Sequence, residues 1–303
     1  MKASFQRRKP TIAIIGAGRV GQAFAIALRS CGYPLLALVA RRGQKAEKAA
    51  ALLVGGKRPL ALAAKQLQQL PPAGLILIAT PDDVIAETAQ QLSKLWGGER
   101  RGTVLHTSGA LSSEALSPLL AKGFHTGSIH PLVSISEPVA GAAALHGAFY
   151  CLEGTTKAKT LAKGIVRDLA GTSITITPED KALYHAAAVM AAPHLTALFD
   201  MALELLSACG LTTKQAQKAF MPLLESTVNN LKTSTPGKAL TGTFARGDIE
   251  TVRKHLKALT EAEVSQALEV YKLLGLRSLQ LAEKKGLDPG RAKAIRELLK
   301  SDE

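Results

Sequence analysis

Short apolar runs alternate with amphipathic stretches over the first half of the chain. The apolar runs have the length of strands and lie near Leu60 and at residues 11–16, 35–40, 75–80, 103–107, 126–130, 149–152 and 173–176. Between them, apolar residues recur every three or four positions, which is the spacing of one helix face. This alternation predicts a mostly parallel sheet with helices on both faces.

The pattern changes after Pro178, where longer helical periodicities replace the strand-sized runs. Helices are predicted there at residues 179–209, 214–231, 249–257, 262–285 and 289–299. Pro193 lies inside the first of them, and an interior proline costs about 3 kcal/mol, so we expect a break near Ala191 and a new helix at Pro193. The sequence thus predicts an α/β domain over residues 1–177 and an all-α domain over residues 178–303.

A glycine-rich turn follows the first predicted strand and opens a helix. Gly16, Gly18 and Gly21 form the pattern G-x-G-x-x-G, which allows a tight turn, the approach of a diphosphate and close helix–strand packing. Free N–H groups at the helix start favour bound phosphate. The context predicts a Rossmann-type dinucleotide-binding domain, although a turn without a ligand would have the same sequence. The predicted cofactor-binding residues of the turn are Gly16, Ala17, Gly18, Arg19, Val20 and Gly21.

Two arginines follow the second predicted strand, where an NAD-binding domain usually has an acidic residue. Arg41 and Arg42 can donate charge-assisted hydrogen bonds to a 2′-phosphate, which a carboxylate would repel. The predicted cofactor is therefore NADP(H) rather than NAD(H) or FAD; the alternative is two surface arginines in a loop. Ala79 and Thr80 precede Pro81, and we expect them to line the ribose side, because ligands bind beyond the carboxyl ends of such strands.

Polar residues at the ends of two later strands are candidates for the chemistry. His106 and Ser108 end the strand at residues 103–107, where a bound nicotinamide would lie. Ser108 is a candidate catalytic residue, and His106 a candidate for substrate binding. His130 ends the strand at residues 126–130 and could donate a proton during carbonyl or imine reduction. Each could instead serve only a turn or a helix cap.

The second predicted domain contributes further candidates. Lys181 and His185 are four residues apart and share a helix face, from which they could polarise a substrate oxygen and supply a proton; the alternative is a salt-bridged surface lysine and a satisfied histidine. Asn229 and Arg246 are candidates for binding the substrate, Arg246 through a carboxylate. Asp248 is a plausible cap for the next helix. The histidines fit no familiar ligand spacing, so no metal site is predicted.

The chain has 303 residues and a formal net charge of +14. Such a charge attracts anions, but its lysines and arginines are dispersed and lack accompanying aromatic residues. A phosphorylated cofactor or an anionic metabolite is therefore predicted rather than nucleic acid. No apolar run approaches the ~20 residues of a membrane span, and the three cysteines form no Cys-x-x-Cys motif. We expect a cytoplasmic protein without a membrane partner.

The order of several longer motifs resembles that of a known family. They are GAGRVG, ATPDDVI, HTSGALSSEAL, GSIHPL, EDKALYHAAAV and ALTGTFARGD. Over residues 11–281 the chain resembles the Rossmann-like and DUF2520 domain-containing family, which is related to NADP- and F420-dependent oxidoreductases, ketopantoate reductase and pyrroline-5-carboxylate reductase. The resemblance implies a second domain similar to the C-terminal domain of 6-phosphogluconate dehydrogenase, dimerisation through it, and a substrate between the two domains.

The resemblance also bears on two candidate residues. Lys181 falls where ketopantoate reductases have a catalytic lysine, whereas His185 replaces their asparagine. Ala192 and Pro193 stand where the DUF2520 family has a Ser-Asn pair.

The leading hypothesis is an NADP(H)-dependent reductase of a small, anionic carbonyl or imine compound that acts as a homodimer. Its candidate catalytic residues are Ser108, His130, Lys181 and His185. One alternative is a non-catalytic NADP(H) sensor or partner-binding protein. Another is an F420-dependent NADP reductase.

Overall fold

An eight-stranded sheet forms the centre of the first part of the chain. The computed structural model describes residues 9–96, 102–262 and 264–301. The strands are β1 (Ile12–Ile15), β2 (Leu35–Ala40), β3 (Leu60–Ala63), β4 (Leu75–Ile78), β5 (Thr103–His106), β6 (His125–Pro131), β7 (Phe149–Gly154) and β8 (Thr172–Thr175). Their spatial order is β3-β2-β1-β4-β5-β6-β7-β8.

Neighbouring strands are parallel throughout this sheet except for the antiparallel pair β6 and β7. The carboxyl ends of β2, β1, β4, β5 and β6 therefore follow one another along a single edge. The predicted α/β fold with a mostly parallel sheet is confirmed.

Helices cover both faces of the sheet. They are α1 (Arg19–Ser30), α2 (Gly43–Ala51), α3 (Asp82–Leu95), α4 (Ser117–Leu120), α5 (Pro138–Leu145), α6 (Thr156–Asp168) and α7 (Lys181–Ala191), with 3-10 segments at Ala64–Gln69 and Ser113–Leu116. The apolar pattern does not predict α5 or α6. The sequence of α5, PVAGAAAL, has no polar face and so lacks the periodicity of an amphipathic helix.

Alternation along β1 shows how the sheet is stabilised. Ile12 and Ile14 pack into the apolar layer that contains Phe24 of α1. Ile15 points the other way, into the layer that contains Ile85 of α3. Each such side chain contributes about 1.5–3 kcal/mol when fully buried. The two layers hold the strand ends, and the loops that follow them, on a rigid support.

Beyond Ala192 the described residues form helices and no strand. The helices are α8 (Pro193–Ala208), α9 (Thr213–Thr233), α10 (Pro236–Ala239), α11 (Gly242–Arg246), α12 (Ile249–Glu261), α13 (Ser265–Glu283) and α14 (Pro289–Lys300). Helices α12, α13 and α14 share an apolar core of their own, built around Val252, Leu279 and Ile295. Asp248 caps α12 as predicted, since its side chain accepts a hydrogen bond from the Thr251 amide.

The chain divides into two compact units, Met1–Ala192 and Pro193–Glu303. Helix α7 lies in the first unit, although the domain boundary predicted after residue 177 places it in the second. The predicted helix break is confirmed: α7 ends at Ala191, Ala192 leaves the helical conformation at φ −128° and ψ −70°, and α8 begins at Pro193.

One stretch of the described residues, Lys181–Ala208, is long and apolar enough to cross a membrane by length and composition alone. Such a run was not predicted from the sequence, because Lys181, Asp200 and Glu204 interrupt the apolar residues. The stretch is divided between α7 and α8, and only 6% of its most apolar window is buried. It therefore leaves apolar side chains on the surface.

Candidate functional site

The structural requirement for glycine differs among the three positions of the turn after β1. Gly16 has a φ of +108°, and a β-carbon there would lie 2.4 Å from the Ala79 backbone. A β-carbon on Gly21 would lie 1.9 Å from the Gly16 carbonyl oxygen. At Gly18, by contrast, a β-carbon would meet no atom within 4 Å. Packing within the protein thus accounts for Gly16 and Gly21, and the space at Gly18 is left open.

Helix α1 begins directly beside that open space. Its N-cap is Gly18, no side chain caps it, and its first turn contains no acidic residue. The first N–H groups of a helix lack partners within the helix and carry the positive end of its dipole. The turn is therefore an uncapped, electropositive cradle that a phosphate group can enter.

Two further features lie at neighbouring strand ends. Arg41 and Arg42 follow β2, are exposed, and form no ion pair or side-chain hydrogen bond with any residue that the structure describes. After β4, the hydroxyl oxygen of Thr80 is the one fully buried side-chain polar atom in the described ranges that has no hydrogen-bond partner. We name residues 16–21, Arg41, Arg42 and Thr80 the glycine cradle.

Residues 107–113 form the loop after β5, which we name the anchored loop. Two predicted site residues outside the loop, His106 and Lys181, hold it through hydrogen bonds. His106 is fully buried, and both of its ring nitrogens are used there. Its Nε2 lies 3.1 Å from the carbonyl oxygen of Ser112, and its Nδ1 accepts the Ser108 amide at 3.2 Å. His106 is therefore a neutral imidazole with its proton on Nε2.

Ser108 uses its hydroxyl group within the same loop. The hydroxyl donates to Asp82 at 2.7 Å and accepts from the amides of Ala110 and Leu111 at 3.1 and 2.9 Å. Asp82 lies in the first turn of α3, so this bond joins the anchored loop to the loop after β4. The arrangement leaves the Ser108 hydroxyl no free hydrogen for a substrate.

Lys181 binds the anchored loop from its buried side. Its side chain is 1% exposed, and its ammonium donates to the Ser108 carbonyl at 3.0 Å and to the Ser128 hydroxyl at 3.2 Å. Glu153 of β7, also buried, accepts from the amide and the hydroxyl of Ser113 at 2.6 and 2.7 Å. A buried cation and a buried carboxylate thus hold the two ends of the loop.

Two imidazoles cover the middle of the anchored loop. The rings of His130 and His185 stand edge to face with centroids 5.7 Å apart. A β-carbon on Gly109 would lie 2.4 Å from His185 Cδ2 and 2.8 Å from His130 Nε2. Only glycine therefore fits beneath them. The structure brings these two predicted residues together over Gly109.

Tyr184 completes the arrangement. Its hydroxyl lies 2.7 Å from His130 Nδ1, whereas His130 Nε2 has no hydrogen-bond partner in the described part of the chain. Burial, and then the charge of Lys181, lower the pKa values of both His106 and His130 to about 4. Burial also lowers the pKa of Lys181 and raises that of Tyr184. Both histidines are consequently neutral at pH 7.

The remaining predicted residues lie in the second unit. Asn229 lies on an exposed part of α9, where its side chain accepts from Lys232 at 3.1 Å. Arg246 ends the short helix α11, which replaces part of a predicted loop, and its guanidinium is exposed. In the described residues, no group of three or more histidine, cysteine or acidic side chains converges as metal ligands would.

Sequence reasoning missed Asp82, Gly109, Ser128, Glu153 and Tyr184 as parts of this site. All of them except Glu153 carried a signal, since Asp82, Gly109, Ser128 and Tyr184 each belong to a motif that was quoted for other residues. Their partners become visible only in the folded chain.

Family models match both parts of the sequence. A Rossmann-like domain matches residues 1–131, and the domain of unknown function DUF2520 matches residues 148–278. The chain combines a Rossmann-like domain with a DUF2520 domain. The resemblance drawn from the motifs is thereby confirmed. No curated protein sequence matches this DUF2520 protein.

Solved structures with the same fold cover nearly the whole chain. BF3122, a candidate NADP oxidoreductase from Bacteroides fragilis, is 21% identical with a TM-score of 0.71, over 90% of this chain and 98% of its own. TM1727 from Thermotoga maritima is 22% identical with a TM-score of 0.70, over 91% and 99%. The Plasmodium falciparum pyrroline carboxylate reductase with NADP bound is 12% identical with a TM-score of 0.56, over 95% and 98%. At such identities the likeness shows a shared fold.

Proposed function

We propose that this DUF2520 protein is an NADP(H)-dependent oxidoreductase that reduces, or forms by oxidation, a small anionic carbonyl or imine compound. The observation that carries the proposal is the glycine cradle. An open space at Gly18, an uncapped helix start, a buried hydroxyl without a partner and two guanidinium groups without an ion pair all lie at one edge of one sheet. A bound dinucleotide with a 2′-phosphate would give hydrogen-bond partners to all of these groups at once.

The order of the strands supports NADP(H) as the ligand. Arg41 and Arg42 would hold the 2′-phosphate beyond β2, the α1 amides the diphosphate beyond β1, and Thr80 a ribose beyond β4. The first turn of α2, which begins at Gly43, also has no acidic residue and no capping side chain. Adjacent strands are about 4.8 Å apart, so β2 to β6 span about 19 Å. An extended dinucleotide along this edge would point its nicotinamide toward β5 and β6.

His130 is the proposed proton-donating residue. NADPH, when bound, supplies the hydride. A neutral imidazole with its N–H toward a carbonyl or imine can polarise that bond without carrying a charge itself. His130 Nε2 is the ring nitrogen that remains free for this role, and Gly109 leaves the space beside it. In this proposal Ser108, His106 and Lys181 hold the loop in position.

Two relatives in fold support the reaction class. BF3122 and the pyrroline carboxylate reductase are described as an NADP oxidoreductase candidate and an NADP-bound reductase. Pyrroline carboxylate is a cyclic imine with a carboxylate, and the net charge of +14 suits such an anion.

Calorimetric titration with NADPH, NADH and F420 tests the cofactor. We expect NADPH to bind at least about 10-fold more tightly than NADH, equivalent to ~1.4 kcal/mol. Replacing both Arg41 and Arg42 by serine should remove that preference, whereas Lys45→Ser with Lys48→Ser on α2 should retain it. Equal affinity for NADPH and NADH in the unaltered chain would contradict the assignment, and tighter F420 binding would favour the F420-dependent alternative.

Turnover separates an enzyme from a sensor. Oxidation of NADPH is followed at 340 nm over a panel of 2-oxo acids and cyclic imino acids, with His130→Gln as the comparison. Turnover that depends on His130 supports the reductase. Tight NADPH binding without turnover of any compound favours the non-catalytic sensor instead.

We also propose that the protein forms a homodimer through its second unit. Large apolar side chains are exposed there on α9 and α13, among them Leu223, Leu231 and Leu273. An apolar groove of about 200 Å³ lies between α8 and α13, lined by Met201, Leu205 and other apolar residues. A second copy of the chain would cover this surface, and large exposed apolar patches commonly mark such interfaces. Sedimentation velocity should then give the mass of two chains.

A further inference from the structure

Tyr184 contacts the ring of His130, the proposed proton-donating residue. The tyrosine lies on α7 one turn after Lys181, whose ammonium is locked beneath the anchored loop. The Lys181 ammonium lies 5.9 Å from the centre of the Tyr184 ring. The Tyr184 ring in turn meets His130 edge to face, with centroids 5.6 Å apart and planes at 88°. These contacts hold the Tyr184 hydroxyl at one place on the His130 ring.

A neutral histidine carries its single proton on one nitrogen, and the partner of the other nitrogen decides which. For His130 that partner is the Tyr184 hydroxyl, 2.7 Å from Nδ1. Two arrangements satisfy this distance. Either the hydroxyl donates to Nδ1 and the histidine proton is on Nε2, or Nδ1–H donates to the hydroxyl and Nε2 is bare.

The donor and acceptor strengths of the two groups decide between the arrangements. A phenol O–H is a stronger donor than the N–H of a neutral imidazole, and a bare imidazole nitrogen is a stronger acceptor than a phenol oxygen. The distance of 2.7 Å is also typical of an O–H donor, whereas an N–H donor usually lies about 2.9–3.0 Å from its acceptor. Both points favour the first arrangement, in which Tyr184 donates to Nδ1.

We infer that Tyr184 is a positioning residue, whose hydroxyl donates to His130 Nδ1 and thereby places the histidine proton on Nε2, beside Gly109. This inference rests on the proposed function, because it is proton delivery from Nε2 that gives the tautomer a purpose. In this proposal Tyr184 acts on the reaction through its contact with His130.

The tautomer can be measured without any substrate. Long-range ¹H–¹⁵N spectra of the ¹⁵N-labelled full chain distinguish protonated from bare imidazole nitrogens, and His130→Gln identifies the His130 signals. We expect Nδ1 of His130 to be bare and Nε2 to be protonated. In Tyr184→Phe we expect a large share of the proton to move to Nδ1. A proton on Nδ1 in the unaltered protein, or an unchanged tautomer in Tyr184→Phe, would overturn the inference.

The chain provides a matched control in its second unit. Tyr271 and His255 have the same edge-to-face geometry, with ring centroids 5.8 Å apart and the Tyr271 hydroxyl 2.9 Å from His255 Nδ1. Tyr271→Phe removes the same hydroxyl from the same kind of pair and should leave the His130 signals unchanged. A shift of the His130 signals as large as that in Tyr184→Phe would show a general effect and count against the inference.

Kinetics then distinguish this inference from the proposed function. With a substrate in hand, Tyr184→Phe should lower kcat about 10-fold while the Kd for NADPH stays within about twofold, because the hydroxyl contributes only through the chemical step. An unchanged kcat despite a moved proton would overturn the catalytic part of the inference. If the unaltered protein did not bind NADPH, the proposed function would be refuted instead. The spectra would still show which nitrogen of His130 carries the proton and whether Tyr184 determines it.

Discussion

The glycine cradle and the anchored loop occupy neighbouring stretches of the same sheet edge, yet they treat polar groups in opposite ways. The cradle leaves Thr80, Arg41 and Arg42 without partners in the described residues. At the anchored loop, by contrast, Ser108 and the adjacent His106 of β5 use every hydrogen-bonding atom of their side chains on the protein itself. A region that binds a ligand must keep donors free, whereas a region that orients a reacting group must have its own donors satisfied.

The comparison changes how the candidate catalytic residues are understood. Lys181, Ser108 and His106 are buried and bonded inward, so each supports the position of Gly109 and the imidazole rings above it. Among the described residues beside Gly109, His130 keeps Nε2 without a hydrogen-bond partner, and the His185 side chain forms no hydrogen bond. Histidine therefore has two roles in this site: His106 holds the loop in position, whereas His130 is a candidate reactant.

The largest expected effect tests whether the glycine cradle binds the diphosphate. In Gly18→Asp, the new side chain meets no protein atom within 4 Å, so the fold should be retained. Its carboxylate would occupy the cradle and repel the diphosphate, and we expect NADPH affinity to fall by about 1,000-fold or more, equivalent to ~4 kcal/mol. Calorimetric titration measures the loss.

Gly164→Asp is the matched control for this change. Gly164 lies within α6, and a β-carbon there also meets nothing within 4 Å. It should bind NADPH like the unaltered chain. NADPH affinity in Gly18→Asp within a few-fold of that in Gly164→Asp would show that the diphosphate does not enter the cradle.

The cradle could be predicted from the sequence because its parts follow local rules. The three glycines fall within six residues, and Arg41 and Arg42 directly follow a strand that the apolar pattern shows. The anchored loop could not be predicted in this way. The partners of its hydrogen bonds are 26, 40 and 73 residues away in Asp82, Glu153 and Lys181. Such pairs arise from strand order and helix placement, which one sequence without its fold does not show.

The fold shows the same division between local and distant information. The break at Pro193 and the cap at Asp248 were predictable, because backbone chemistry within a few residues decides both. The attachment of α7 to the sheet was not, because it depends on the buried ammonium of Lys181 reaching Ser108 and Ser128.

The next largest effect tests whether Lys181 supports the loop. Lys181→Met retains the length of the side chain but leaves the Ser108 carbonyl without its donor, and Glu153 without a nearby cation. We expect the first unit to lose about 3–4 kcal/mol of stability. Urea unfolding followed by fluorescence measures this, because the single tryptophan, Trp96, is buried in that unit.

Lys257→Met is the control for Lys181→Met, since Lys257 is exposed on α12 and pairs with Glu261 on the surface of the same helix. It should change stability by less than about 1 kcal/mol. If Lys181→Met were as stable as this control and only turnover were lost, Lys181 would be a catalytic residue after all, as the resemblance to ketopantoate reductase implies.

The smallest expected effect is on the pH dependence of stability, and it tests whether His106, beside the anchored loop, is held neutral. The pKa of His106 is about 4 in the folded chain, against 6.5 when unfolded, chiefly because burial disfavours its charged form. The unfolded chain therefore binds more protons between these values, so stability falls as pH drops from 6.5 to 4 and this contribution is complete above pH 6.5. The shift corresponds to about 3 kcal/mol. His130, with the same low pKa, adds a similar loss.

His106→Gln isolates the contribution of His106 from that of every other titrating group. We expect the variant to be less stable at all pH values, but its stability should fall less steeply between pH 6.5 and 4, because one buried imidazole no longer titrates. His146→Gln, at an exposed position, should keep the slope of the unaltered chain. Urea unfolding at several pH values, followed by Trp96 fluorescence, gives each slope. Identical slopes in His106→Gln and the unaltered chain would mean that His106 is not held neutral. A charged ring has a hydrogen on Nδ1, so the hydrogen bond from the Ser108 amide to that nitrogen would then be wrong.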